Sequence, residues 1–165
     1  MTEHPPVFDA EAMVAALARH DLEYLIVGGF AVAFHGVVRG TEDLDIIVRQ
    51  HPENYRRLAR AIEALGGDAV VWESQFRQRE LDPTGDFDLA RGENYRVRTT
   101  VGMLDILHRA RGARDFDSMA AVAQTGRLGG VEVRVVGLDD LIAMKREAGR
   151  AKDLLDLGEL TRIAD

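Results

Sequence analysis

Three acidic residues interrupt stretches that are otherwise apolar, and they constrain this chain more than any other feature. Asp43 and Asp45 sit in Asp-Leu-Asp-Ile-Ile-Val, and Asp105 sits in Met-Leu-Asp-Ile-Leu. Residues two apart on a strand point to the same face. Asp43 and Asp45 therefore share one, with Leu44, Ile46 and Ile47 as core-type neighbours. Two carboxylates side by side next to a core are costly unless a cation neutralises them. Hard divalent ions such as Mg²⁺ take oxygen ligands, and adjacent carboxylates can bridge two of them. Asp105 is a third acid of the same kind, which a neighbouring strand can bring alongside. The competing reading makes Asp43 a strand-end cap and Asp45 a solvated edge residue. For the pair alone that reading is the better one, because Asp-x-Asp is common.

The surrounding chain alternates strand-like and helix-like stretches without a repeat or low-complexity linker, which narrows the class to α/β or α+β. Strands are predicted at Tyr24 to Val27, Leu44 to Val48, Ala69 to Trp72, Tyr95 to Thr100, Met103 to Leu107 and Val131 to Val136. Helices are predicted at Ala10 to His20, Phe30 to His35, Pro52 to Leu65 and Phe116 to Thr125, and one broken or two consecutive helices at Leu138 to Ile163 with a break at Gly149. Asp82-Pro-Thr-Gly85 is turn chemistry. The expected fold is α+β, a small mixed sheet of roughly five strands flanked by helices, with a C-terminal helical segment. Residues 1–165 are expected to form one domain, its core at about 10–136 and a helical appendage at 137–165.

Composition sets the outer limits. Hydrophobic residues are 46% and charged residues 30% of the 165, which is globular and not disordered. Cysteine is absent, so thiolate zinc sites, disulfides and thiol nucleophiles are excluded. No apolar run approaches the roughly 20 residues that span a bilayer. The start, Met1-Thr-Glu-His-Pro-Pro6, shows no secretory signal, so a cytoplasmic location is expected. The net charge of −7 disfavours long nucleic acid over the general surface. An anionic substrate must be held by a local basic site or through metal ions.

Tyr24-Leu-Ile-Val27 ends in Gly28-Gly29 and passes at once into a helix. That turn exposes backbone N–H groups at a helix N-terminus, a ready phosphate site, although a lone Gly-Gly signals little more than a tight turn. The combination is sharper. Gly28-Gly29, thirteen residues, then Asp43-Leu44-Asp45-Ile46 puts a phosphate cradle at one strand end and a metal pair on the next strand. This is equipment for phosphoryl or nucleotidyl transfer, where catalysis is largely positioning and charge neutralisation.

Val27-Gly28-Gly29 followed by Asp43-Leu44-Asp45-Ile46 resembles the signature of the DNA polymerase β-like nucleotidyltransferase superfamily. The wider pattern is similar to the small bacterial nucleotidyltransferases of the AbiEii-like group, found in type IV toxin–antitoxin systems. Val101-Gly-Met-Leu-Asp105-Ile-Leu resembles their third-carboxylate strand. Leu138-Asp-Asp-Leu141, Lys145, Arg150 and Lys152-Asp153-Leu-Leu-Asp156 resemble their C-terminal helical segment. The resemblance covers most of Leu22 to Leu160 and leaves Asp68 to Asn94 poorly matched. Many superfamily members carry Gly-Ser where this chain has Gly28-Gly29, so a hydroxyl contact to phosphate is missing.

The resemblance implies a nucleotidyltransferase fold and a two-metal mechanism. Asp43 and Asp45 would hold two Mg²⁺ ions, about 3.5–4 Å apart, bridging the triphosphate of a nucleoside triphosphate (ATP or another). Asp105 would ligate the catalytic ion and help activate an acceptor hydroxyl on a tRNA 3′ end, a protein or a small molecule. Gly28 and Gly29 would contact the phosphates. Lys145 would neutralise the triphosphate, with Lys152 and Asp153 weaker candidates. Partners would be the triphosphate and either tRNA or a cognate toxin or antitoxin protein. The alternative is a non-catalytic nucleotide- or partner-binding module on the same fold; a metal-assisted phosphatase or nuclease is a third reading.

Other residues carry weaker signals. Arg39 and Thr41, in the loop before Asp43, either grip phosphate or shape the turn. If Leu138 to Ile163 were one helix, Lys145, Lys152 and Asp156 would lie on one stripe, with Lys152 and Asp156 an i,i+4 pair. His4, His20, His35, His51 and His108 show no metal-ligand spacing. His35 can reach the site or cap its helix. Arg109, Arg111 and Arg114 are either a basic rim for RNA or an ordinary charged loop. Trp72, Phe76 and Phe87 are read as packing, and Asp86-Phe-Asp88 ranks far below Asp43/Asp45 as a metal pair.

Overall fold

A computed structural model describes residues 6–74, 77–81, 94–108 and 110–165. Six helices and eight strands follow one another as α1 (Ala10–Arg19), β1 (Tyr24–Val27), α2 (Gly28–Phe34), β2 (Asp43–Val48), α3 (Pro52–Ala64), β3 (Asp68–Ser74), β4 (Arg77–Leu81), β5 (Tyr95–Thr99), β6 (Gly102–Leu107), α4 (Phe116–Ala121), β7 (Gln124–Leu128), β8 (Val131–Val135), α5 (Leu138–Ala148) and α6 (Ala151–Ala164). One mixed sheet runs β4-β3-β5-β6-β2-β1-β8-β7. The pairs β2·β6 and β1·β8 are parallel and the others antiparallel.

Alternation in the central strands creates two unlike faces. On β6, Leu104 and Ile106 are fully buried while Asp105 between them is half-buried, and on β2 Leu44 and Ile46 are buried beside half-buried Asp43 and Asp45. The apolar face packs on Met13, Val14 and Leu17 of α1 and on Leu58 and Ile62 of α3. Asp9 starts α1 by accepting from the Ala12 N–H at 3.0 Å, and Pro52 suits the first turn of α3. Asn54, only 2% exposed, ties β1 to β2. Its side-chain oxygen accepts from the Glu23 N–H, and its NH₂ donates to the carbonyls of Glu23 and Arg49, all at 2.9 Å. The two strands that carry Gly28 and the Asp43/Asp45 pair are thus clamped at their far ends.

Two expectations need correction. Among the described residues the sheet has eight strands, not about five, and the predicted helix from Phe116 to Thr125 stops at Ala121. Thr125 and Gly126 are poor helix formers, and pairing of Gln124–Leu128 with Val131–Val135 across Gly129-Gly130 makes a hairpin instead. That strand is a polar edge with little buried surface, so hydrophobic periodicity carries almost no trace of it. The break at Gly149 is real. Gly149 has φ +64° and its N–H donates to the Lys145 carbonyl at 3.2 Å, a left-handed C-terminal cap for α5. A Cβ there would meet only the Arg146 carbonyl oxygen, at 3.8 Å, an ordinary contact. Gly149→Ala should therefore cost only the backbone strain, about 1 kcal/mol, read as a lowered urea midpoint with unchanged slope.

Candidate active site

The polar face of the central strands becomes a site because of register. In the parallel pair β2·β6, Asp45 lies directly beside Asp105, and in the antiparallel pair β1·β2, Val27 lies opposite Asp45. One oxygen from each of Asp43, Asp45 and Asp105 lies within 4.8 Å of the others, the one group of this kind among the described residues. Burial and the neighbouring Asp105 and Asp43 push the Asp45 carboxyl up to about 7, and a hydrogen bond to Asp105 adds to this. Burial also raises Asp105, although the Arg96 guanidinium opposes the rise. A group that resists ionisation among other acids is what a divalent cation relieves, so the donor set fits a hard cation with oxygen ligands.

Gly28 ends β1 and opens α2 with φ +67°, and a Cβ placed there would lie 2.7 Å from Asp45 Cγ. Only glycine lets the turn press against that carboxylate. The first-turn N–H groups of α2 have no acceptor within the helix, and Gly28 and Gly29 line the cavity beside the aspartates. Gly28→Ala should lower stability by about 1–2 kcal/mol from the backbone alone and, by displacing Asp45, weaken divalent-cation binding. Thermal melts with and without Mn²⁺ check both parts.

A cavity of about 500 Å³ collects these elements. Gly28, Gly29, Arg39, Thr41, Lys145 and Lys152, all singled out in the sequence, line it together with the three aspartates. Thr41 and Arg39 stand beside Gly29: a Cβ there would be 3.1 Å from Thr41 Oγ1 and 3.5 Å from Arg39 Cζ. Thr41 also shapes the turn, its hydroxyl donating to the Asp43 carbonyl at 3.0 Å. Lys145 Nζ donates to Asp153 at 3.1 Å and lies 3.0 Å from Asp156. Arg39 reaches Asp156 at 2.5 Å, and Arg150 Nε donates to Asp153 at 2.7 Å. Three cations are thus held over the cavity by two carboxylates that are 1% and 7% exposed. Burial alone would raise Asp153, but hydrogen bonds from Arg150 and Lys145 hold it below the usual carboxylate range.

Several sequence assignments change. The single stripe of Lys145, Lys152 and Asp156 does not exist, because Gly149 turns the chain between α5 and α6. Asp156 therefore pairs across to Lys145 and Arg39 and not with Lys152. Arg114 forms a two-pronged pair with Asp140 at 2.7 and 2.8 Å, which ties the loop to α5 instead of offering a cation to RNA. His35 ends α2 and donates to the Val136 carbonyl at 2.8 Å, away from the cavity lining. His4, Phe76, Asp82 to Gly85, Asp86, Phe87, Asp88 and Arg109 lie outside the described residues.

Sequence reading missed Asn94, Arg96 and Arg150 as lining residues. Alternation in Tyr95–Thr99 signals that Arg96 faces away from Tyr95 and Val97, but only the pairing of Arg96 with Asp105 shows which way that is.

Several solved structures share this fold. The lincosamide antibiotic adenylyltransferase LnuA, lincomycin-bound, superposes with a TM-score of 0.61 at 14% identity, over 96% of this chain and 99% of its own. The antibiotic-resistance factor ANT(2'')-Ia gives 0.56 at 19% identity, over 92% and 78%. A nucleotidyltransferase-like protein from Thermotoga maritima gives 0.54 at 13%, over 95% and 96%. The fold is one that nucleotidyltransferases adopt. No curated protein matches the sequence. Residues 11–165 match the family described as "Nucleotidyl transferase AbiEii toxin, Type IV TA system", and the chain belongs to that family of nucleotidyltransferases. No helix among the described residues is long and apolar enough to cross a membrane.

Proposed function

We propose that the chain transfers a nucleoside monophosphate from a nucleoside triphosphate to an acceptor hydroxyl, with Asp43, Asp45 and Asp105 holding two Mg²⁺ ions. The observation that supports this most is the convergence of three carboxylates from two parallel strands beside the Gly28 turn, with lysines and arginines across the same cavity. Bound divalent ions supply Lewis-acid polarisation of the phosphates and a lowered pKa for an oxygen nucleophile.

The chain's own groups do the rest. The N–H groups at Gly28 and Gly29 take phosphate oxygens, and Arg39, Lys145 and Lys152 neutralise the triphosphate. Asp43 and Asp45 face the phosphate cradle across the β1–β2 boundary. Asp105, on the adjacent strand β6, orients the acceptor hydroxyl. A new bond forms between that oxygen and the α-phosphorus as the bond to the bridging oxygen breaks, the hydroxyl proton passes to a carboxylate oxygen of Asp105, and pyrophosphate leaves carrying the electron pair. Fixed position and fixed charge supply most of the acceleration, as in other phosphoryl transfers.

The acceptor arms of the test are those the sequence resemblance implies, a tRNA 3′ end, a protein or a small molecule, the last in keeping with the lincosamide antibiotic adenylyltransferase among the structural neighbours. The full chain is incubated with each labelled triphosphate, Mg²⁺ and either total RNA, lysate protein or a panel of such small molecules. Label should move to one acceptor class and stay on the triphosphate when EDTA is present. Tight binding of a non-hydrolysable triphosphate with no transfer to any acceptor would make the protein a nucleotide-binding module instead. Free nucleoside monophosphate as the sole product would make water the acceptor.

A further inference from the structure

The cation already seated among the three carboxylates is the chain's own. Arg96 on β5 stands directly across from Asp105 in the antiparallel ladder, so both side chains leave the same face. Its Nε donates to Asp105 Oδ1 at 3.0 Å, and its Nη2 donates to Asp105 Oδ2 and to Asp43 Oδ2, each at 3.2 Å. The guanidinium therefore engages both oxygens of Asp105 and one of Asp43. A divalent ion held by this cluster needs oxygens of those same two residues. Two positive groups a few ångströms apart repel, and each hydrogen bond to Arg96 uses a lone pair that a cation would take. Arg96 also has somewhere to go. Its side chain is 39% exposed, whereas Lys145, which lines the same cavity, is 9% exposed and held by two carboxylates.

We propose that Arg96 is a built-in counter-ion of the carboxylate cluster which a divalent cation must displace from Asp43 and Asp105, so that Arg96 sets the cation affinity of the nucleotide-free protein. This rests on the reading that the three aspartates hold divalent ions. Without a cation, the guanidinium makes three acids beside a core tolerable. Once displaced, it stays on the rim of the same cavity, where two oxygens of a tetrahedral phosphate can accept parallel hydrogen bonds from its fork of donors. Nucleotide and cation then assist one another, since a phosphate that takes up the freed guanidinium removes the competitor of the cation. Arg96 is thus a gate on empty-site metal binding that substrate opens.

Mn²⁺ binding to the full chain without nucleotide, measured by calorimetry for wild type, Arg96→Gln and Arg96→Lys, tests this. Arg96→Gln should bind Mn²⁺ about tenfold more tightly than wild type, the scale of one half-exposed charged hydrogen bond, with Arg96→Lys between them. A non-hydrolysable triphosphate should tighten Mn²⁺ binding in wild type more than in Arg96→Gln. Should neither variant fold, the wild-type protein decides by NMR, where the Arg96 Nε–Hε signal should shift on adding Mg²⁺. Mn²⁺ binding that is unchanged or weaker in Arg96→Gln, or an Arg96 signal indifferent to Mg²⁺ that binds elsewhere in the cluster, overturns the gate alone. No divalent-ion binding in wild type or in Arg96→Gln, with or without the triphosphate, overturns the metal reading of the aspartates and the gate with it.

Discussion

Asp45→Asn should abolish nucleotidyl transfer by about a thousandfold or more and, in the same protein, raise the stability of the metal-free fold near neutral pH. The two effects share one cause. Asp45 is desolvated and faces Asp43 and Asp105, which push its carboxyl up to about 7 from an unfolded-state value near 3.8. Between those values the native state keeps a proton that the unfolded chain has released, so raising the pH favours unfolding. The advantage is complete below about pH 4 and lost as the pH passes about 7. The full span corresponds to at most about 4 kcal/mol, and sharing the proton with Asp105 makes about 1–2 kcal/mol the realistic gain. Asparagine keeps the shape and donates to Asp105 without bringing a charge. Urea melts in EDTA should show wild type losing stability from pH 5 to pH 8 and the variant losing clearly less. Saturating Mg²⁺ should remove the difference at pH 8, because the cation then stands in for the proton. A wild-type slope of the opposite sign, or an equal slope in Asp45→Asn, would refute the electrostatic account of the site.

The parts of this site that the sequence disclosed are those where local pattern and chemistry coincide. Asp43, Asp45 and Asp105 each break an apolar strand, and Gly28-Gly29 closes one, so each is visible as an exception to its surroundings. Their convergence is a matter of register: the Asp45–Asp105 pairing joins residues sixty positions apart, and nothing local encodes it. Arg96 was invisible for the same reason, since an alternating strand with Arg96 and Arg98 reads as solvated until Asp105 is placed opposite. Edge strands were lost because β7 buries little, and pairing with β8 outweighs the weak helical reading of its residues. The C-terminal helices were found, but the stripe drawn along them failed at Gly149. A left-handed glycine redirects α6 so that Asp153 and Asp156 turn inward to Lys145, which no helical periodicity across the break could show.

Lys145→Met should be the most destabilising single change in the cavity wall, by about 3 kcal/mol, and should disable transfer for a separable reason. The ammonium is buried and donates between Asp153 and Asp156, one of them 1% exposed. Taking away one partner of a buried charge cluster costs more than the cluster contributes, because desolvated carboxylates remain. Arg150 still serves Asp153 and Arg39 still serves Asp156, which places the cost at the low end for buried pairs. The pH dependence identifies the cause. Asp153 is held below its ordinary value, so its contribution is present above the unfolded pKa and disappears as the pH falls through the lower folded one. The gap between wild type and Lys145→Met should therefore be widest near pH 7 and narrow toward pH 3. None of the three clustered aspartates is hydrogen-bonded to Lys145, so the folded variant, assayed in the cold, should still bind Mn²⁺ while losing triphosphate affinity. Loss of Mn²⁺ binding together with triphosphate binding would instead mean that the α5–α6 charge network builds the aspartate cluster itself, and that Lys145 contacts no phosphate.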